Sequence, residues 1–266
     1  MRLDQYLVTL EKFSTRNQAQ EAIKDGIVYV NQKQVKKPAF DVSETDAIEV
    51  LQVSRYVSRS GEKLAGALKQ FHVDPKDMVC LDIGASTGGF TDCLLQNGAT
   101  FVYALDVGKD QLVDKLRNHP CVDCREEVNC RYLEREDFDK DIDLVVMDVS
   151  FISCTKLMES ISKVLDVSKE AIILIKPQFE AGKEKVGKKG VVREPEIHKE
   201  VLDGFVETVT DLGFKILGLT FSPVKGPEGN IEFLAHLTLD SQKSGIVPDT
   251  ALVVAQAHES LKGGNA

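Results

Sequence analysis

Leu81-Asp82-Ile83-Gly84-Ala85-Ser86-Thr87-Gly88-Gly89-Phe90 is a short apolar run that breaks into a Gly-rich turn and passes into helical spacing near Thr91. With Val79-Cys80 ahead of it, the run reads as a strand buried on both faces. Similar runs recur at Phe101–Leu105, Leu144–Met147 and Ala171–Ile175, with helical patterns between them. This alternation predicts an α/β fold with a Rossmann-like, doubly wound parallel sheet. Glycines at such a turn let a ligand approach the backbone amides. The spacing is not G-x-G-x-x-G, so a dinucleotide is not indicated. Asp106 ends the next strand run, where a carboxylate in a doubly wound sheet can accept from ribose hydroxyls. Turn and carboxylate together favour an adenosyl ligand.

At 266 residues and 42% hydrophobic content the chain suits two unequal domains. It holds no apolar run long enough to span a bilayer, and Met1-Arg2-Leu3-Asp4-Gln5 does not open a signal peptide, so a cytoplasmic protein is expected. The six cysteines are expected to be reduced. Cys121, Cys124 and Cys130 include a C-x-x-C pair, but no second pair follows, so no metal site is expected. A net charge of −9 argues against a nucleic-acid partner on the sum alone. Its distribution argues otherwise, because Arg2, Lys12, Arg16, Lys24, Lys33, Lys36 and Lys37 outnumber Asp4, Glu11, Glu21 and Asp25 before residue 40.

Leu3, Tyr6, Leu7 and Leu10 stand at helical spacing, Ser14 is placed to cap a second helix carrying Ala19, Ala22 and Ile23, and Gly26 ends it. Ile27–Val30, an Asn31-Gln32 turn, Val35 and Ala47–Val50 read as a β-ribbon. The R-L-D-x-Y-L opening (Arg2 to Leu7), the S-x-x-x-A helix start from Ser14 and the G-x-V-x-V-N turn (Gly26 to Asn31) resemble the S4 RNA-binding domain, a small α+β unit. The resemblance covers residues 1–50 and implies RNA contacts at Arg16, Lys24 and Lys33, with Arg2 added from the opening motif. Residues 51–56 carry no element signal and are read as a linker, 57–242 as the larger domain, and 243–266 as a helical tail.

The D-I-G-A-S-T-G-G-F-T-D stretch is similar to the S-adenosylmethionine motif of FtsJ-type RNA methyltransferases. That resemblance implies S-adenosylmethionine as cofactor. Asp82, Gly84, Ser86, Gly88 and Gly89 would line its methionine end, Asp106 its ribose, and residues from Glu127 to Asn129 its adenine.

A ribose 2′-hydroxyl is barely ionised at neutral pH, so a site that methylates it must orient the oxygen and remove its proton as the methyl arrives. Lys63, Asp148, Lys176 and Glu232 could supply the charged groups, and Asp148 and Lys176 both follow strand runs, where sites in such sheets form. In their S-R-S-G-E-K-L, M-D-V-S-F, I-K-P-Q-F-E and G-N-I-E-F contexts these residues resemble the hemolysin-like TlyA family of rRNA 2′-O-methyltransferases, across nearly the whole chain. By that resemblance Lys176 accepts the proton, Lys63 and Glu232 hold the hydroxyl, and Asp148 orients Lys176. A carboxylate beside a lysine favours the ammonium and a second ammonium disfavours it.

The Gly- and Lys-rich stretch Ala181–Arg193 reads as a mobile loop whose Lys188, Lys189 and Arg193, with Arg59, suit RNA phosphates. The resemblance further implies a cytidine target in ribosomal RNA or a ribosomal subunit, and a monomeric protein. The absence of a short extension ahead of Arg2 tilts the expectation to the large subunit. Two other classes compete. One is a membrane-permeabilising hemolysin, for which the sequence offers no spanning or strongly basic amphipathic helix. The other is a non-catalytic RNA-binding protein, against which the Lys63, Asp148, Lys176 and Glu232 set argues.

Overall fold

A computed structural model describes residues 1–24, 26–50, 55–166, 168–187 and 189–261. The chain divides between Ser58 and Arg59 into two compact units.

The first unit comprises α1 (Leu3–Thr9), α2 (Arg16–Lys24), β1 (Val28–Val30), β2 (Lys33–Gln34) and β3 (Ile48–Val50). Its antiparallel strands run in the order β2-β1-β3. Leu3 and Leu7 of α1, Ala19, Ala22 and Ile23 of α2, and Val28 and Val30 of β1 form one core, as the three- and four-residue spacing of the helices and the two-residue spacing of the strand dictate. The cap of α2 is Thr15 and not Ser14. Thr15 Oγ1 accepts from Gln18 N at 3.3 Å while Gln18 Oε1 accepts from Thr15 N at 3.2 Å, a reciprocal capping box. Residues 51–54 of the expected linker lie outside the described residues, and Tyr56 is buried.

A polar knot lies within this unit. Asp4 is fully buried and accepts from Arg2 Nε at 3.0 Å, Arg2 Nη2 at 2.9 Å, Arg16 Nε at 3.0 Å and Gln20 Nε2 at 2.7 Å. Arg2 and Arg16, expected on the RNA face, thus each reach an internal carboxylate while their side chains remain 41% and 46% exposed. Lys24 and Lys33 are exposed. The Arg2 hydrogen bonds, helped by Gln20 and Arg16, overcome the effect of burial and hold the Asp4 carboxyl well below the usual range. Asp4→Ala is expected to destabilise the unit by about 2–3 kcal/mol, the scale of hydrogen bonds to a charged group. Because the folded group titrates below the unfolded one, its contribution is present above about pH 4 and fades as pH falls through the folded value. Amide exchange of β1 compared in the two proteins should show a gap that is constant near neutrality and narrows in acid.

The second unit holds α3 (Ser60–Phe71), β4 (Val79–Ile83), α4 (Gly89–Gln96), β5 (Phe101–Leu105), α5 (Asp114–Arg117), β6 (Val122–Arg125), β7 (Leu144–Met147), α6 (Met158–Val164), β8 (Glu170–Ile175), α7 (Pro177–Glu180), α8 (Pro195–Asp211), β9 (Lys215–Phe221), β10 (Phe233–Thr238) and α9 (Thr250–Ser260). Seven strands form one sheet in the order β6-β5-β4-β7-β8-β10-β9. The β4–β8 strands are parallel, as expected. The sheet is not parallel throughout, because β10 runs antiparallel to both β8 and β9. A connection without a crossover helix joins β9 to β10, and such a connection returns the chain in the opposite direction. Apolar side chains of β4, β7, β8 and β10 pack with α6 and α8 in one core, which Val254 and Ala257 of α9 complete.

From β4 the chain winds outward to β5 and β6, then crosses back to lay β7 on the other side of β4. The carboxyl ends of β4 and β7 therefore feed loops that diverge, which opens the crevice where doubly wound sheets bind ligands.

Candidate active site

A cavity of about 580 Å³ occupies that crevice, its polar wall including Gly84, Ser86, Asp106, Asn129, Asp148 and Ser150. Val107, Val128, Val149 and Phe151 give it an apolar side. The volume and the mixture are those of a small-molecule site. Gly84 has φ of +83°. A Cβ there would stand 2.6 Å from the Asp148 carbonyl oxygen, so glycine is what lets the ends of β4 and β7 close together. Asp148 N donates to Ile83 O at 3.0 Å across the same gap. Asp106 Oδ2 accepts from Ser86 N at 2.8 Å and Oδ1 from Gly108 N at 2.7 Å, which ties the Gly-rich turn to the next strand end.

Several residues expected to meet the cofactor lie behind the wall. Asp82 is fully buried, with Oδ2 accepting from Thr91 Oγ1 at 2.6 Å and Oδ1 without a partner among the described residues. Burial, opposed by Thr91 and reinforced by the nearby Asp148 charge, pushes its carboxyl up to about 7. A Cβ on Gly88 would come 2.3 Å from Leu116 Cδ1, so packing against α5 by itself requires a glycine here. Gly89 opens α4 and is buried. Glu127 is exposed, 3.9 Å from Lys109. Asn129 does line the cavity, with its Oδ1 accepting from Arg131 N at 3.2 Å.

The four charged residues gather as two pairs at the carboxyl edge of the sheet. Lys176 Nζ lies 2.5 Å from Asp148 Oδ1 and donates to Ser150 Oγ at 2.8 Å. Lys63, from α3, lies 2.5 Å from Glu232 Oε2, whose other oxygen accepts from Gln178 Nε2 at 3.3 Å. Strand register explains the grouping. Phe233 of β10 pairs with Ile175 of β8, so Glu232 and Lys176 face each other one step beyond the ladder. Lys63 and Lys176 are 6% and 8% exposed and Glu232 is 0% exposed, so the charges are largely withdrawn from water. A Cβ on Gly226 would come 2.1 Å from Glu232 Oε1, so Gly226 gives the carboxylate its space.

Sequence reasoning missed Ser150, Gln178 and Asn230, each within a motif quoted for a neighbouring charged residue. Asn230 anchors the far end of the stretch expected to be a mobile loop. It is buried, donates from Nδ2 to Gly190 O at 2.9 Å, and accepts at Oδ1 from Val192 N at 3.1 Å. Gly190 and Val192 are thereby stapled to the turn that carries Glu232. Lys189, Arg193 and Arg59 are exposed, and Lys188 lies outside the described residues. Phe151 is 92% exposed with φ of +64°, its ring 5.3 Å from that of Phe179, which places an aromatic face at the cavity mouth.

A switch-point cavity with a glycine cradle, a strand-end carboxylate and an apolar flank fits an adenosyl ligand, and its Asp148 wall is shared with a lysine-carboxylate cluster. These features define an α/β group-transfer enzyme of the Rossmann-like class. The chain belongs to the FtsJ-like methyltransferase family, whose model matches residues 56–239, and residues 1–48 match the S4 domain. S-adenosylmethionine is its methyl donor. Hemolysin A of Brachyspira hyodysenteriae is 46% identical over 90% of this chain and 100% of its own length. The 16S/23S rRNA (cytidine-2′-O)-methyltransferase TlyA of Mycobacterium tuberculosis is 39% identical over 91% of each chain. A solved structure named as a hemolysin, from Streptococcus thermophilus, superposes with a TM-score of 0.80 at 43% identity, covering 98% of this chain and 97% of that one. Among the described residues no helix is long and apolar enough to cross a membrane.

Proposed function

We propose that this protein methylates the ribose 2′-hydroxyl of a cytidine in ribosomal RNA. The observation that carries the reading is the Lys176–Asp148 pair at the rim of the adenosyl cavity, with Glu232 of the Lys63–Glu232 pair next to Lys176 by strand register. Bound S-adenosylmethionine supplies an electrophilic methyl group whose bonding electrons leave with sulfur. Gly84 and Ser86 would receive its methionine end and Asp106 its ribose, with the valine side of the cavity against the adenine.

Lys176 accepts the hydroxyl proton as the oxygen attacks, and it does so as the neutral amine, the proton of its resting ammonium having passed to solvent before the methyl moves. Asp148 and Ser150 hold the amine in line with the cavity, and Lys63 with Glu232 fixes the ribose. Burial of Lys63, Lys176 and Glu232 gives the arrangement its strength, because preorganised charges act more strongly away from water. Exposed Lys24 and Lys33 in the first unit, and Arg59, Lys189 and Arg193 in the second, supply cations for phosphates. The rRNA specificity named for the Mycobacterium tuberculosis relative supports the choice of substrate.

Ribose methylation mapped across both ribosomal RNAs of cells lacking the gene should regain one or more cytidine sites on adding back the wild type, and none with Lys176→Ala. Identical maps in all three would overturn the reading. Dye leakage from liposomes on adding the pure protein would instead favour the hemolysin name carried by relatives.

A further inference from the structure

The outer wall of the adenosyl cavity is a strap, residues 106–112, that brings Asp106, Val107 and Gln111 to the ligand space. It is laced to the segment after β6 by Glu127 N donating to Gly108 O at 3.0 Å and Val128 N donating to Asp106 O at 3.0 Å. Its far half depends on one side chain. Glu126 Oε2 accepts from Asp110 N at 2.6 Å, while Oε1 accepts from Gln111 N at 2.8 Å, Leu112 N at 3.0 Å and Arg117 Nη2 at 2.7 Å.

We propose that Glu126 is the positioning residue that sets cofactor affinity, holding the strap as the cavity wall without itself touching the ligand. The inference rests on the adenosyl reading of the cavity. Three successive amides aimed at one point form a nest that is favourable only around an anion. Without the carboxylate their partial charges repel and the strap opens. Asp110 carries φ of +52°, a conformation that the converging hydrogen bonds keep in place. Leu112 extends the effect inward, since a Cβ on Gly88 would come 2.8 Å from its Cδ1, so the strap also backs the Gly-rich turn. Burial works against the carboxylate, but the Leu112, Gln111 and Asp110 amides and Arg117 outweigh it and hold the group down at about 2. The charge is therefore present throughout the working range of pH.

Glu126→Gln in the full-length protein keeps the shape of the side chain and removes its charge. Calorimetry with S-adenosylmethionine and with S-adenosylhomocysteine should show Kd raised about ten- to a hundredfold, the equivalent of losing hydrogen bonds to a charged group. The cofactor KM should rise while kcat at saturating cofactor stays unchanged. In the ligand-free protein the amides of Asp110, Gln111 and Leu112 should exchange faster, which reports the strap without any activity. A wild-type protein that binds neither compound would overturn the adenosyl reading itself. A wild type that binds, beside a folded Glu126→Gln of equal affinity, would overturn this inference alone, as would a loss confined to kcat. Should Glu126→Gln fail to fold, Arg117→Ala removes the countercharge and keeps the nest. A smaller rise in Kd is then expected, and an unchanged Kd counts against the proposal.

Discussion

Lys176→Ala is expected to slow methyl transfer by about 10²- to 10⁴-fold while cofactor and RNA affinities change little. The lysine acts on a proton that moves only as the methyl does, and interactions made mainly in the transition state alter rate and not ground-state binding. Position supports this, because Lys176 Nζ is held at 2.5 Å by Asp148 and at 2.8 Å by Ser150 on the cavity rim. Asp148 and Ser150 still line the cavity in the variant, so the cofactor keeps its wall. Single-turnover reactions at saturating cofactor and RNA measure the step itself. A variant that keeps more than about a tenth of the wild-type rate falls outside the range for a general base and would remove Lys176 from that role.

Lys63→Met is expected to destabilise the second unit by about 3–5 kcal/mol, the cost of leaving a buried charge without its partner. Glu232 is fully buried and has Lys63 as its cation at 2.5 Å, with the Gln178 amide at 3.3 Å a weaker substitute. For a domain of this size the loss corresponds to a fall in melting temperature of roughly 10 °C. The double variant Lys63→Met, Glu232→Gln should recover much of it, since the penalty belongs to the unpaired charge and not to the missing lysine. Equal melting of Lys63→Met and wild type would mean that water reaches Glu232, contrary to its burial.

Strands β4, β5, β7 and β8 were legible as apolar runs because burial on both faces leaves no polar alternation to confuse them. β10 was less so. Its Phe233-Leu234-Ala235-His236-Leu237-Thr238 carries a histidine, buried against Glu170 at 2.7 Å and stacked on Phe71 at 5.2 Å, whose partners come from distant segments. Charge was legible and its destination was not. Arg2 and Arg16 read as RNA contacts, and nothing in their local pattern showed that the fold also pairs both with Asp4. Adjacent residues also part ways after β6, where Glu126 turns inward to the strap and Glu127 faces solvent.

Order along the chain thus determined the two-part organisation, the doubly wound sheet, the Gly-rich turn at its centre and the four charged residues, because each is written as a local pattern of polarity and spacing. Which residues touch was decided by tertiary structure. Lys176 meets Asp148 and Lys63 meets Glu232 through the order of β7, β8 and β10 and the placement of α3, and Asn230 staples a distant loop through the same turn. Those pairings depend on strand register and on the crossing at β4 and β7, which form only when segments far apart in sequence bury their apolar faces against each other.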